Sequence, residues 1–328
     1  MDAQALQDPP HGRREVLLKT LRAAAIGVGY MGRFHAQKLA ASYAADLIAV
    51  VDADAARARE VAAELDCAAE TDFQRLLARV DVACVAVPTE RHHAVVGACL
   101  EAGVHVLVEK PLARTVAEAD DLLARASARK LVLQVGHLER FNPAFRALAA
   151  EPGRPLFIDI ERLAPFKARG TDVDVVLDLM IHDLDLVLAL ARAEVETVSA
   201  CGFRVLTDAI DIANARIEFA DGCVASVSAS RVSQAPVRKL RVFRHDEYVS
   251  ADLQGHRLRY VRRKDGGIAE TETRFERADA LRLQTEAFLR AVREGTGPEV
   301  SGAEGRRALD LALRVGALIR ERLERAPR

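Results

Sequence analysis

The fold is decided by one stretch near the N-terminus, Ala23-Ala24-Ala25-Ile26-Gly27-Val28-Gly29-Tyr30-Met31-Gly32. Its apolar residues run directly into glycines spaced GxGxxG, and a helical pattern follows from Met31 to Tyr43. In that context the glycines permit a tight turn and let the backbone approach a pyrophosphate at a helix N-terminus. The stretch therefore predicts the phosphate-binding turn of a dinucleotide-binding fold; the alternative is an ordinary glycine-rich turn.

A carboxylate ends the next predicted strand. Asp52 follows the last glycine by twenty residues, the position from which such a carboxylate binds the 2′-hydroxyl of an adenosine ribose. It is followed by Ala53 and Asp54, not by Ser and Arg, so a 2′-phosphate would be repelled. The sequence therefore favours NAD over NADP, with Arg57 and Arg59 as the residues that argue the other way.

Strand and helix patterns alternate as far as about Gly136. The predicted strands are Ala23–Val28, Leu47–Val51, Val82–Val87, Val104–Val108 and Leu131–Val135. The helical patterns between them are Met31–Tyr43, Ala55–Leu65, Arg91–Ala102 and Val116–Ala128. Continuous apolar strands separated by helices predict a parallel sheet that is covered on both faces, hence a Rossmann domain of the α/β class.

The pattern changes in the second half of the chain. After a long helix pattern, Asp174–Ala191, seven strand patterns follow one another between Val198 and Phe275, and two helices, Ala280–Glu294 and Ala303–Arg325, close the chain. Successive strands without helices between them predict a mostly antiparallel sheet. We therefore predict a flexible leader (1–20), an NAD-binding domain (21–138) and an α+β domain for substrate binding and oligomerisation (139–328), with the last helices able to pack back on the first domain.

Composition excludes several classes of function. The 328 residues carry 47 basic and 48 acidic side chains, so no overall charge recruits nucleic acid or an anionic membrane. The five cysteines are odd in number and show no CxxC spacing, which is typical of free thiols in a reducing compartment. No apolar run is long enough to span a bilayer. We therefore expect a cytoplasmic protein without nucleic-acid or membrane partners.

Polar residues follow three predicted strands at the edge where a parallel sheet binds its ligands. They are Pro88-Thr89 with His92 beyond, Glu109-Lys110-Pro111, and Gly136-His137. Lys110 is one of only seven lysines against forty arginines. A lysine offers a compact proton donor whose pKa falls readily on burial, so Lys110 is a candidate catalytic residue; the alternative is a surface lysine before a turn.

A second candidate group lies on the helix pattern of the other domain. Asp178 and His182 are four residues apart, which places them on one face of an α-helix, where a carboxylate can orient an imidazole. A polar helix stripe is the structural alternative. The pair also suits a metal ion, but the sequence suggests no third ligand, so we predict no metal site.

Together, the glycine turn, the Glu109-Lys110-Pro111 tripeptide and Asp178-x-x-x-His182 resemble the glucose–fructose oxidoreductase/inositol dehydrogenase/MocA family. The resemblance implies that Lys110, Asp178 and His182 meet at the nicotinamide as the catalytic set. It also implies a cofactor site formed by Gly27, Gly29, Tyr30, Met31, Gly32, Asp52, Pro88, Thr89, His92, Glu109 and Lys110.

A narrower resemblance runs from Gly136-His137-Leu138-Glu139-Arg140-Phe141-Asn142-Pro143 through Leu163–Lys167. These segments resemble the bacterial UDP-N-acetylglucosamine 3-dehydrogenase branch of the family. That resemblance implies NAD-dependent oxidation of the sugar C3 hydroxyl, giving a 3-keto sugar nucleotide for amino-sugar lipid A synthesis. The predicted substrate-binding residues are Lys110, Arg140, Asn142, Arg162, Lys167, Asp178 and His182; Arg140, Arg162 and Lys167, with Arg169, form a candidate clamp for the diphosphate.

Two other functions fit the same motifs. One is a dehydrogenase of a free sugar or polyol such as inositol, which needs no diphosphate clamp. The other is a non-catalytic NAD-sensing regulator, against which Lys110 and His182 argue, because a sensor needs no proton acceptor. A large antiparallel sheet with one uncovered face also favours a homodimer or homotetramer.

Overall fold

A six-stranded parallel sheet forms the first half of the chain. A computed structural model describes residues 20–167 and 173–325. The strands are β1 (Leu21–Ile26), β2 (Ala45–Val51), β3 (Ala68–Glu70), β4 (Val82–Val85), β5 (His105–Val108) and β6 (Leu133–Val135). Their order is β3-β2-β1-β4-β5-β6, with every pair parallel, so the predicted Rossmann sheet is confirmed. Only β3, three residues long, was not predicted.

Four helices cover this sheet: α1 (Tyr30–Ala40), α2 (Ala55–Leu65), α3 (His92–Glu101) and α4 (Val116–Ala128). Two of them begin at side-chain caps. Asp54 accepts hydrogen bonds from the first backbone N–H groups of α2, and Thr115 accepts one from Glu118 at the start of α4. Because caps mark the starts of α2 and α4, the sequence predicts both helices with the bounds that the structure shows.

An eight-stranded sheet forms the second half. Its strands are β7 (Phe157–Leu163), β8 (Val195–Phe203), β9 (Ile212–Phe219), β10 (Val224–Ser230), β11 (Val237–Arg244), β12 (Glu247–Asp252), β13 (Arg257–Lys264) and β14 (Gly267–Arg274). The order is β14-β13-β12-β11-β7-β10-β9-β8, antiparallel except for the β7–β10 pair. The predicted mostly antiparallel sheet is therefore confirmed.

Two elements in this half were not predicted, α5 (Pro143–Ala150) and the central strand β7. Both lie among prolines and glycines, which indicate irregular chain. In β7, buried Ile158 and Ile160 alternate with Asp159 and Glu161, which face outward. A short alternating strand of this kind has a weak apolar pattern in the sequence. In the structure its neighbours β10 and β11 pair with it along its whole length.

Three further helices are α6 (Ile181–Ala191), α7 (Ala280–Glu294) and α8 (Gly302–Arg325). From α7, Phe288 and Leu289 pack into the core beneath β1 and β2. From α8, Leu309 joins the core of the first sheet and Ile319 that of the second. In the described part of the chain, no helix is long and apolar enough to cross a membrane.

Candidate active site

The glycine turn has the geometry that a bound pyrophosphate requires. Gly27 has a φ of +82°, and a Cβ there would lie 2.8 Å from backbone atoms of Ala86 and Val87. A Cβ on Gly32 would collide with the carbonyl oxygen of Gly27, whereas one on Gly29 would meet nothing within 4 Å. The turn is thus packed on the protein side and open where a phosphate would approach the start of α1. A dinucleotide fits this cradle.

Asp52 lies at the end of β2 beside this turn. Its Oδ2 accepts a hydrogen bond from the backbone N–H of Val28 at 3.0 Å, and its Oδ1 accepts one from Asp54. Arg57 Nη1 is 3.4 Å from Oδ1. The carboxylate is therefore fixed at the turn, with one guanidinium near it. Tyr30, at the start of α1, is two-thirds exposed and packs edge-to-face on Phe34; Met31 is partly buried beside it.

Lys110 reaches from the end of β5 to the other domain. Its Nζ donates a hydrogen bond to the backbone carbonyl oxygen of Asp178 at 2.7 Å and lies 3.5 Å from the Asp178 carboxylate. Burial lowers the pKa of Lys110, and the charges of Asp178 and Glu109 offset this only in part. The structure thus brings together two of the three predicted catalytic residues.

The expected pairing of Asp178 with His182 is not what the structure shows. Residues Val176–Met180 form a π-helical turn ahead of α6, where the sequence predicts a continuous α-helix. The Asp178 carboxylate instead lies near Lys110, and burial together with the charges of Lys110 and Arg162 holds the pKa of His182 well below its usual value.

His137 is a site residue that the sequence analysis left outside the predicted set. It is buried, and its ring lies edge-to-face against that of His182, with 6.1 Å between centroids. Neither of its ring nitrogens has a hydrogen-bond partner among the described residues, and the same holds for Nδ1 of His182. Burial lowers the pKa of His137. Its position directly after β6 is the feature of the sequence that could have identified it as a site residue.

Glu109 contacts both Lys110 and a histidine of α1. One carboxylate oxygen lies 2.7 Å from Nε2 of His35, in α1, and the other accepts a hydrogen bond from the backbone N–H of Lys110. Burial alone would lower the pKa of His35, but contacts with Cys84 and Glu109 outweigh it and raise that pKa to about 10. Glu109 therefore links His35, in the helix after the glycine turn, to the backbone of Lys110.

His92, which the sequence predicts in the cofactor site, contacts the backbone. It is buried, with Nδ1 2.8 Å from the carbonyl oxygen of Pro111 and Nε2 2.9 Å from that of Val87. Both ring nitrogens therefore face backbone carbonyl oxygens, and the ring connects the segments that follow β4 and β5. Pro88 is exposed and Thr89 partly buried at this edge of the sheet, where a cofactor can reach them.

Two arginines of the predicted diphosphate clamp form ion pairs with protein carboxylates. Arg162, on β7, binds both carboxylate oxygens of Asp183 and also Glu139, and is 5% exposed. Arg140 binds Asp185 and Glu304. Both predicted clamp arginines are therefore in ion pairs with protein carboxylates, and for Arg162 these carboxylates are buried or nearly so.

The other predicted substrate residues have separate outcomes. Asn142 caps α5 through its side-chain oxygen and donates its amide N–H to the carbonyl of Leu253, so both of its polar atoms are also occupied. Lys167 is exposed, and Arg169 lies outside the described residues. Within residues 20–167 and 173–325, no cluster of His, Cys, Asp and Glu could hold a metal ion, and the five cysteines are all free.

Two family models match this chain. One, described as "Oxidoreductase family, NAD-binding Rossmann fold", matches residues 21–137, and the other, the GFO/IDH/MocA C-terminal domain, matches residues 153–246. The chain belongs to the GFO/IDH/MocA oxidoreductase family. The resemblance drawn from the glycine turn, Glu109-Lys110-Pro111 and Asp178-x-x-x-His182 is thereby confirmed, as is a nicotinamide dinucleotide as the type of cofactor.

Several known members are similar over nearly their whole length. The UDP-N-acetylglucosamine 3-dehydrogenase of Acidithiobacillus ferrooxidans is 42% identical over 93% of this chain and 99% of its own. A solved structure of that enzyme has a TM-score of 0.88, covering 92% and 98% of the two chains at 43% identity. The scyllo-inositol 2-dehydrogenase (NAD(+)) of Bacillus subtilis is 28% identical over 89% and 92%.

Proposed function

We propose that this enzyme oxidises the C3 hydroxyl of UDP-N-acetylglucosamine with NAD, giving the 3-keto sugar nucleotide. The observation that carries the proposal is the 42% identity to a UDP-N-acetylglucosamine 3-dehydrogenase along nearly the whole of both chains. The inositol dehydrogenase of Bacillus subtilis is similar over a comparable span at only 28%. A 3-keto sugar nucleotide is a substrate for a transaminase, in line with a role in amino-sugar lipid A synthesis.

The site contains the groups that alcohol oxidation needs. A secondary alcohol loses a hydride and a proton, and a bound nicotinamide supplies the hydride acceptor. His182 takes the hydroxyl proton, because its lowered pKa keeps the imidazole neutral, and therefore able to accept, at pH 7. Lys110 donates a hydrogen bond to the same oxygen as it becomes a carbonyl. The carboxylate of Asp178, 3.5 Å from Nζ, holds Lys110 within reach of that oxygen.

Asp52 supports NAD as the cofactor. In our proposal its carboxylate, fixed beside Val28, binds the adenosine ribose hydroxyl and repels a 2′-phosphate, so NAD is preferred to NADP. Arg57 is already paired with this carboxylate, which reduces its availability to a phosphate.

The direct test is to incubate the protein with NAD and a panel of substrates while following NADH absorbance. The panel contains UDP-N-acetylglucosamine, UDP-glucose, free N-acetylglucosamine and myo-inositol. We expect turnover to be fastest with UDP-N-acetylglucosamine and its product to carry a ketone at C3. Preferential oxidation of inositol would replace our proposal with the polyol alternative, and binding of NAD without any turnover would favour a sensor.

A further inference from the structure

A basic pocket lies outside the group formed by Lys110, Asp178 and His182. Its volume is about 550 Å³, and it lies between the segment after β6, the start of β11, the β12–β13 turn and the approach to α7. The polar side chains on its wall are Glu139, Asn142, Arg238, Gln254, His256 and Arg277. We call this cavity the Arg238 pocket.

The Arg238 pocket has more positive than negative charge. Arg238 is half exposed and donates from Nη1 to Glu139 at 2.9 Å, but the same Glu139 oxygen also accepts from Arg162. One carboxylate is thus shared by two guanidinium groups. Arg277 is exposed and has no ion pair with any residue in the described ranges. The surplus charge favours an anionic ligand.

The imidazole of His256 also lies on the pocket wall. Nδ1 of His256 is buried, and it has no partner among residues 20–167 and 173–325. A buried polar atom without a partner is costly, and a ligand or an ordered water usually satisfies it. The pocket wall therefore combines two guanidinium groups with an imidazole that has an unmet hydrogen bond.

The pocket lies close to the reacting groups. Glu139, on its wall, is joined through Arg162 to Asp183, the residue next to His182. The positive charge of Arg238 itself contributes to lowering the pKa of His182, after burial and nearer charges. In a sugar nucleotide the diphosphate is attached at C1 of the ring whose C3 reacts. A sugar held at His182 would therefore place its diphosphate a short distance from the reacting carbon.

We propose that the Arg238 pocket binds the diphosphate of the sugar nucleotide through Arg238 and Arg277, an inference that rests on the proposed function. Guanidinium groups suit this ligand, since their paired N–H donors match phosphate oxygens. Arg140 and Arg162, the arginines predicted to bind the diphosphate, are held in ion pairs with protein carboxylates. In our proposal Arg238 and Arg277 bind it in their place. A free sugar or polyol lacks the diphosphate, and the pocket thereby selects against it.

The test measures binding of UDP alone, by calorimetry in the presence of NAD, to four proteins. Arg277→Ala should weaken UDP binding about tenfold to a hundredfold, the loss of one charge-assisted contact. Arg238→Lys, which keeps the charge near Glu139, should weaken it less. Arg290→Ala, at an exposed arginine of α7 paired with Glu299, is the control and should bind UDP like wild type. The KM for UDP-N-acetylglucosamine should rise in the same order.

The outcomes separate the pocket from the overall function. If wild type oxidises UDP-N-acetylglucosamine and Arg277→Ala and Arg238→Lys both bind UDP as well as wild type does, the pocket is not the diphosphate site although the proposed function stands. If UDP binds and is lost in Arg277→Ala, but no UDP sugar is oxidised, the pocket stands and the substrate assignment fails. If wild type does not bind UDP, both proposals are overturned.

Discussion

The ammonium group of Lys110 donates a hydrogen bond to the backbone carbonyl oxygen of Asp178, with 2.7 Å between nitrogen and oxygen. The two residues belong to different domains. The carbonyl belongs to the π turn ahead of α6, and the lysine follows β5. This contact fixes the lysine at the junction of the domains, close to the reacting groups. Its position depends on both domains being folded and packed together.

Lys110→Met should lower kcat by about two to four orders of magnitude, because the reacting oxygen loses its hydrogen-bond donor. Asp178→Asn, which keeps the backbone carbonyl, should have a milder effect. Steady-state kinetics would measure both, with NAD binding by calorimetry as the check that the cofactor site survives. A Lys110→Met enzyme with wild-type kcat would remove the lysine from the mechanism.

The acid limb of the kcat–pH profile should lie below pH 6.5, since the pKa of His182 is held well below 6.5 by burial and by the charges of Lys110 and Arg162. Protonating the ring removes the proton acceptor, so activity falls only at lower pH. His182→Asn should abolish this limb and cost about two to four orders of magnitude in kcat. In Lys110→Met the residual limb should move to higher pH, because one repelling charge is gone; if instead Lys110→Met alone lost the limb, the lysine would be the base.

The His35–Glu109 pair should make stability depend on pH. The pKa of His35 rises from 6.5 to about 10 on folding, so its contribution is complete below pH 6.5 and is lost as pH rises towards 10. The free energy of unfolding of wild type should therefore fall across this range relative to that of His35→Gln. Urea unfolding at pH 6, 8 and 10 measures the difference, which would stay constant if His35 were neutral in the folded protein.

Arg162→Met should destabilise the protein by about 3–5 kcal/mol, because Asp183 and Glu139 would be left buried without their shared cation. Adding Asp183→Asn to it should recover part of the loss. Arg263→Ala, at an exposed arginine on β13, should cost about 0–1 kcal/mol. Chemical unfolding measures all three. Wild-type stability with a selectively raised KM for the sugar nucleotide would restore Arg162 to the substrate site.

Asp52→Ser should narrow the preference for NAD over NADP, since the carboxylate both binds the ribose hydroxyl and repels a 2′-phosphate. The ratio of kcat/KM for the two cofactors measures this. Asp54→Ser is a matched control, because Asp54 caps α2, a function that serine also performs. An unchanged ratio in Asp52→Ser would place the ribose elsewhere.

Local patterns predicted much of the fold because each depends on neighbours in sequence. The strand before the glycine turn ends in a continuous apolar run, and α2 and α4 begin at capping residues. The strand β7 has only a short alternation of isoleucine with acidic residues. It is stabilised by pairing with β10 and β11, from which it is separated by more than sixty residues. Long-range pairing of this kind leaves no mark in the strand's own residues.

The candidate site shows the same division. The sequence predicts Lys110 and His182 as site residues because unusual side chains occur at a strand end and on a helix. The contact between Asp178 and Lys110 joins residues from the two domains, so spacing along the helix does not reveal it. His137 looked like one more polar residue after a strand, until packing placed its ring against His182.

By itself the sequence determined the two-domain plan, the dinucleotide turn and the catalytic candidates, because these follow from periodicity, turn chemistry and short motifs. Only the tertiary structure decided which cations are free to bind a ligand. Arg162 and Arg238 both carry one positive charge, but Arg162 is buried between Asp183 and Glu139, whereas Arg238 is half exposed and shares one carboxylate. The availability of a guanidinium depends on the carboxylates that folding brings to it, and those lie far away along the chain.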